Sequence, residues 1–206
     1  MSIRDIRQLK MRLRAKYRAI REEMGTDHRA SCDTRIAERV CRLWQYRRAK
    51  QVLTYVSTPI EVDTRRIIVQ ALADGKRVAV PRCVPDTRQM EFYYITSLED
   101  LTPGSFGVDE PQPNPERLVT DLSEGLCIIP AFCYDHTGYR LGYGKGYYDR
   151  FLPKFGGNLI GICYSSCVRR HLPHGRFDRA AELLVTENYI RRTDRGNATQ
   201  GGTNNG

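Results

Sequence analysis

Short apolar runs recur along the chain at residues 52–56, 77–80, 126–129, 159–163 and 183–186, separated by amphipathic or Gly- and Pro-rich segments. None alternates cleanly between apolar and polar residues, so these are not strands with one wet face. Continuous runs of this length read as strands buried on both sides, and burying both sides of a sheet takes helices on both faces. The first two runs flank an amphipathic segment, 63–74, with Ile67, Ile68, Ala71 and Leu72 on one face and Gly75 at its end. Strand, helix, strand predicts a parallel βαβ unit. The fold class that follows is α/β: a single-domain layered sheet, largely parallel, with helices on both faces.

The chain opens differently. Ile3, Ile6, Leu9, Leu13, Tyr17, Ile20 and Met24 recur at three- and four-residue spacing before Gly25, which predicts a long first helix with an apolar stripe and a basic opposite face. Thr26 is placed to cap a second helix whose Ile36, Val40, Leu43 and Trp44 share one face. An N-terminal helical pair is therefore expected. Asp63 or Thr64 caps the helix of the βαβ unit, and Glu91 to Ile95 reads as another strand. Ser97-Leu98-Glu99-Asp100 reads as a capped turn, 103–115 as a surface loop, and 147–155 as a short helix. Residues 196–206 hold no apolar anchor beyond one alanine, so 192–206 is expected to be a disordered tail on a domain spanning 1–191.

With 206 residues and 40% hydrophobic content, one sizeable core is possible and several domains are not. A net charge of +9 favours anionic partners without identifying them. No apolar run approaches the roughly 20 residues that span a bilayer, and the basic amphipathic start lacks a secretory apolar region. Seven scattered cysteines, odd in number and without a C-x-x-C pair, read as reduced thiols in a cytoplasmic protein. His171 and His174 lack further ligands in the sequence and read as surface residues, as do His28 and His136 in turns.

The segment with the most chemistry is 140–150. It sets Gly142, Gly144 and Gly146 at alternate positions around Lys145, ahead of the short helix. Glycines let backbone N–H groups approach an anion closely, and a helix start adds partial positive charge. Neither G-x-x-x-x-G-K-[ST] nor G-x-G-x-x-G fits, because Tyr147 stands at the last glycine of the second pattern. Arg140 and Lys145 supply cations for phosphate oxygens, and Asp149 offers a hard oxygen ligand suited to magnesium carrying a nucleotide.

Ile129-Pro130, Phe132, Gly138, Arg140-Leu141-Gly142, Gly144 and Gly146-Tyr147-Tyr148-Asp149-Arg150 together resemble the signature of the 5-formyltetrahydrofolate cyclo-ligase, or methenyltetrahydrofolate synthetase, family. Upstream, Lys10-Met11-Arg12-Leu13-Arg14 resembles that family's N-terminal Lys-x-x-Leu-Arg, and Val56 with Glu61-Val62-Asp63-Thr64 its strand end and acidic turn. The resemblance extends through Gly75-Lys76, Pro81-Arg82, Phe106-Gly107, Glu110-Pro111 and Pro173 to Asp178 and Val185-Thr186. It implies an ATP- and Mg2+-dependent enzyme that cyclises 5-formyltetrahydrofolate to 5,10-methenyltetrahydrofolate by phosphorylating the formyl oxygen, releasing ADP and phosphate.

It further implies ATP binding by Lys10, Met11, Arg12, Leu13 and Arg14 and by Arg140, Leu141, Gly142, Tyr143, Gly144, Lys145, Gly146, Tyr147 and Tyr148. Folate binding falls to Val56, Glu61 and Tyr143 to Tyr147, metal binding to Asp149 and Asp178, and the catalytic charge to Lys145 with Arg140. Glu182 departs from the family pattern, where aspartate is expected. The expected partners are the two small substrates, with the chain a monomer and neither membrane nor nucleic acid involved. Competing readings are an RNA-binding module stacking bases on Phe92-Tyr93-Tyr94, a sugar-phosphate enzyme using the glycine loop alone, and a catalytically silent paralogue.

Overall fold

The computed structural model describes residues 3–175 and 178–193. Helix α1 (Ile3–Glu23) leads into α2 (Thr26–Arg42). Gly25, not Thr26, is the N-cap of α2: its carbonyl accepts the first helical bond from Arg29 N–H at 3.0 Å. A five-residue helix, α3 (Trp44–Arg48), follows an extended break at Leu43. That break turns Trp44 off the apolar stripe, leaving it 63% exposed.

Strand β1 (Gln51–Leu53) is followed by α4 (Arg65–Ala73) and β2 (Arg77–Cys83). The ladder of β1 is shorter than the apolar run, yet Thr54, Tyr55 and Val56 stay buried as it leaves the sheet. Asp63 Oδ1 accepts from Arg65 N–H at 3.0 Å at the start of α4, while the Thr64 hydroxyl donates to the Tyr55 carbonyl at 2.7 Å. Thr64 is therefore the N-cap by position, its carbonyl accepting from Ile68 N–H at 2.9 Å, and Asp63 supplies the side-chain cap.

Strand β3 (Met90–Ile95) precedes a 3-10 turn capped by Ser97 and Asp100. The stretch expected as loop holds a hairpin, β4 (Leu101–Pro103) and β5 (Asp109–Pro111). Prolines inside both strands hide its pattern from a periodicity reading. The chain continues through β6 (Leu126–Ile129), β7 (Cys133–Asp135) and β8 (Arg140–Leu141) to α5 (Tyr147–Phe151), which ends in a 3-10 turn at Leu152–Lys154. Strands β9 (Asn158–Ile162), β10 (Val168–Arg169), β11 (Leu183–Val185) and β12 (Ile190–Arg192) complete it.

The main sheet runs β12-β11-β9-β6-β1-β2-β3, parallel except for its two edges, where β3 and β12 pair antiparallel. A small sheet of β10, β7 and β8 stands apart from it. From β1 the chain crosses through α4 to the neighbour on one side, and from β6 through α5 to the neighbour on the other. Right-handed crossovers in opposite directions put α4 and α5 on opposite faces. Between β1 and β6 the winding reverses, and the loops leaving those two strands diverge around a crevice.

Strand β12 corrects the domain limit of 191. Arg192 pairs with Leu183, and Thr193 Oγ1 donates to the Ala181 carbonyl at 2.7 Å, so the ordered domain runs to 193 among the described residues. All three residues of β12 are exposed, which leaves no apolar signal to read. Residues 194–206, the rest of the expected tail, lie outside the described residues.

At the centre, β9 passes so close to Tyr134 that a Cβ on Gly161 would sit 2.5 Å from the tyrosine ring. Tyr134 is fully buried, and its hydroxyl donates to the Ile129 carbonyl at 2.6 Å. Gly161→Ala is therefore expected to destabilise the protein by about 1–3 kcal/mol through overpacking. Thermal denaturation against wild type checks this, and an unchanged melting temperature would mean the ring moves freely.

Candidate active site

The crevice at the winding reversal opens into a cleft of about 610 Å³. One wall comes from the turn after β1 (Tyr55, Val56 and Thr58 to Glu61), another from the β2–β3 and β4–β5 hairpins (Pro81, Cys83, Met90, Glu110). Pro130 after β6 and the glycine segment from Gly142 to Asp149 close it. Residues far apart in the sequence meet here because the sheet order sets the ends of β1 and β6 side by side.

The glycine segment is held from outside by arginines. Arg14 Nε donates to the Gly142 carbonyl at 2.8 Å, and Arg150 Nη1 to the Gly146 carbonyl at 3.0 Å. Gly144 and Gly146 have φ of +92° and +78°, a region that suits glycine. A Cβ at Gly144 would lie 3.2 Å from the Arg14 guanidinium, and one at Gly146 2.7 Å from Arg150 Nη1. The loop thus exposes backbone between two fixed guanidiniums, a fitting cradle for phosphate oxygens. The expected help from a helix start is small, because α5 has only five residues.

Arg140, its side chain only 6% exposed, donates to the Arg179 carbonyl at 3.2 Å and forms a short ion pair with Asp149, which is 56% exposed. Glu61 is buried, and its Oε2 accepts from Thr58 N–H at 2.8 Å, fixing the carboxylate in the turn. Tyr143 packs on Phe132 with ring centroids 4.3 Å apart. Although 38% of the residue is exposed, its phenol end is enclosed, and that burial, then the nearby Glu61 carboxylate, raise the phenol well above the ordinary value, so it stays a neutral donor. The hydroxyls of Tyr148 and Thr58 are buried beside the cleft without a hydrogen-bond partner among the described residues.

The expected site residues separate. Val56, Glu61, Arg140, Gly142 to Tyr148 and Asp149 all line the cleft. Of the 10–14 run, Arg14 reaches the glycine segment, Leu13 is core, Met11 and Arg12 are exposed, and Lys10 is not among the lining residues. Leu141 is a buried strand residue. Asp178 Oδ2 accepts from Gly175 N–H at 2.8 Å, and the residue is not among the lining residues. No group of three or more His, Cys, Asp or Glu able to hold a metal occurs among the described residues. The stacking platform of the RNA reading is overturned, since Phe92 and Tyr93 are buried and Phe92 packs on Phe151 at 4.6 Å.

Two arginines were not expected in the site: Arg18, which lines the cleft over the Phe132 ring at 5.5 Å, and the buried Arg21. Their signal was present in the spacing. Lys10, Arg14, Arg18 and Arg21 fall on one face of a helix, a basic stripe adjoining the apolar one.

Five of the seven cysteines are buried, and Cys41 and Cys83 half-buried. Burial pushes the Cys127 and Cys133 thiols up to about 12. Brief alkylation of the native protein is therefore expected to mark Cys41 and Cys83 first and the others only after unfolding. Peptide mass spectrometry reads this; native labelling of Cys127 would place β6 nearer solvent than described.

The fold and cleft define a doubly wound α/β protein with a glycine loop at its winding reversal. Residues 6–187 match the 5-formyltetrahydrofolate cyclo-ligase family, and the chain belongs to it. The chain is 31% identical over 171 residues to a probable 5-formyltetrahydrofolate cyclo-ligase of Schizosaccharomyces pombe, covering 75% of this chain and 83% of the relative. It is 28% identical over 159 residues to the 5-formyltetrahydrofolate cyclo-ligase of Mus musculus, covering 75% of this chain and 78% of that one. The NMR structure of Aquifex aeolicus 5,10-methenyltetrahydrofolate synthetase superposes with a TM-score of 0.76 at 29% identity, covering 96% of this chain and 97% of that one. The family's reaction is an ATP-dependent cyclisation.

Proposed function

We propose that this chain converts 5-formyltetrahydrofolate and ATP to 5,10-methenyltetrahydrofolate, ADP and phosphate in the cleft between β1 and β6. The observation that carries this is the meeting in one cleft of a guanidinium-flanked glycine loop and a buried carboxylate turn at Glu61. The loop suits a polyphosphate, and the mixed apolar and polar wall suits a flat heterocycle.

In this reading the γ-phosphoryl group passes to the formyl oxygen: an oxygen–phosphorus bond forms there, the bond to ADP breaks, and ADP leaves. The tenth-position nitrogen then attacks the activated carbon and a carbon–nitrogen bond forms; that nitrogen loses its proton, the carbon–oxygen bond breaks, and the proton leaves with the departing phosphate. The protein's work is positioning and charge stabilisation. Backbone N–H groups of 142–146 with Arg14 and Arg150 cradle phosphate oxygens, Lys145 and Arg140 meet charge developing on the transferring group, and Glu61 accepts hydrogen bonds from the pterin. Neutral Tyr143 donates beside it.

Asp149 fits magnesium: an exposed carboxylate at the cleft edge suffices for an ion that takes its remaining ligands from phosphates and water. When bound, Mg2+ neutralises phosphate charge. A contribution from Asp178 would need its turn to shift. Purified protein incubated with 5-formyltetrahydrofolate and Mg-ATP is expected to develop the ultraviolet absorbance of methenyltetrahydrofolate. No product across varied nucleotide and pH would sink the reading and favour a silent paralogue.

A further inference from the structure

Arg21 lies on α1 with its side chain among the largest fully buried ones, 1% exposed. Its Nη1 donates to the Ile60 carbonyl at 3.3 Å, and its Nη2 to the carbonyls of Ala131 and, at 2.9 Å, Phe132. The guanidinium sits 5.5 Å from the Phe132 ring centre and 5.9 Å from that of Tyr164. One charged group therefore joins the turn after β1 to the turn after β6, the two lips of the crevice. Each clasped atom adjoins a cleft residue: Ile60 precedes Glu61, Ala131 follows Pro130, and Phe132 carries Tyr143 on its ring.

No carboxylate pairs with Arg21 among the described residues, and its Nε has no partner. Its remaining neighbours, the Cys167 thiol and the Tyr143 phenol, are neutral too; burying a guanidinium among neutral partners is costly, and an apolar side chain between the two rings would hold the core at less expense. What an apolar side chain cannot do is fix three carbonyls from two segments in one plane, which the rigid fork of arginine does. The phosphate side of the cleft has its own anchors, Arg14 on Gly142 and Arg150 on Gly146.

We propose that Arg21 is a positioning residue that sets the spacing of the two lips, so that folate binding depends on it and ATP binding does not. This rests on the proposed function. Arg21→Lys, which keeps the charge and loses the fork, and Arg21→Met, which loses both, are compared with wild type in melting temperature, in KM for each substrate and in hydrogen exchange.

The lysine variant is expected to raise the KM for 5-formyltetrahydrofolate about tenfold or more, the scale of a lost hydrogen bond to a charged group, with the KM for ATP changed by less than about twofold. Exchange should quicken at 57–62 and 130–133 and not at 144–146, beyond the Tyr143 phenol that touches Arg21. Equal shifts in both KM values, unchanged kinetics, or a lysine variant too unstable to assay would overturn the proposal. If the wild type shows no turnover, the functional reading fails by itself, and exchange then decides: unchanged rates at the two lips overturn the role of Arg21.

Discussion

Replacing Lys145 by methionine is expected to lower turnover roughly a hundredfold or more while changing folate affinity much less, the scale of removing one preorganised electrostatic contact. Lys145 lines the cleft between Gly144 and Gly146, whose positive φ angles turn the loop sharply on either side of it. The guanidiniums around it are already anchored: Arg14 on Gly142, Arg150 on Gly146, Arg140 on Asp149 and Arg179. A compact ammonium on a four-carbon stem presents its charge to a phosphoryl group differently from a planar fork. Arginine at 145 should rescue only part of the loss. Paired kinetics and equilibrium folate binding test this. Unchanged turnover with weakened ATP binding alone would make Lys145 a nucleotide anchor and leave Arg140 as the catalytic cation.

Asp149→Ala is expected to come close to abolishing turnover with the fold intact. The side chain is more than half exposed, so its removal leaves no cavity, but it is also the carboxylate partner of the nearly buried Arg140. Two causes of inactivity are therefore mixed in the alanine variant. Asp149→Asn separates them, because an amide oxygen still accepts from Arg140 yet is a poor magnesium ligand. If metal binding is the role, both variants fail, and raising magnesium restores part of the asparagine activity alone. If anchoring Arg140 is the role, asparagine works at ordinary magnesium. Near-normal activity of the alanine variant at saturating magnesium would remove Asp149 from the site.

What the sequence revealed follows from which signals are local. Apolar runs such as 126–129 and 159–163 announced β6 and β9 because strands buried on both sides admit little else. The glycine segment announced itself because its backbone needs are written in residue type. The hairpin of β4 and β5, the two-residue strands β8 and β10 and the edge β12 were illegible, since prolines, brevity and full exposure remove any period. Within the site, Glu61 was found only through the family pattern, whereas Arg140 already stood out as a cation beside the glycines. Arg21 was passed over because a charged helix residue reads as solvated until tertiary structure supplies carbonyls from elsewhere. Asp178 shows the reverse: the family pattern names it, while its carboxylate accepts from Gly175 N–H and is not among the cleft-lining residues.

The position of β6 has a bearing on the birth of the protein. When the first 125 residues have left the ribosome, β1 holds β2 on one side and nothing on the other, since its second partner is Leu126–Ile129. A strand that is buried along its whole length in the finished fold then stands with an open row of N–H and C=O groups, the condition in which nascent chains pair with one another. Arg21, made early, also waits for Ala131 and Phe132. The interval between translating β3 and β6 is thus the hazardous one, and a pause there would expose the newborn chain to chaperone capture or aggregation.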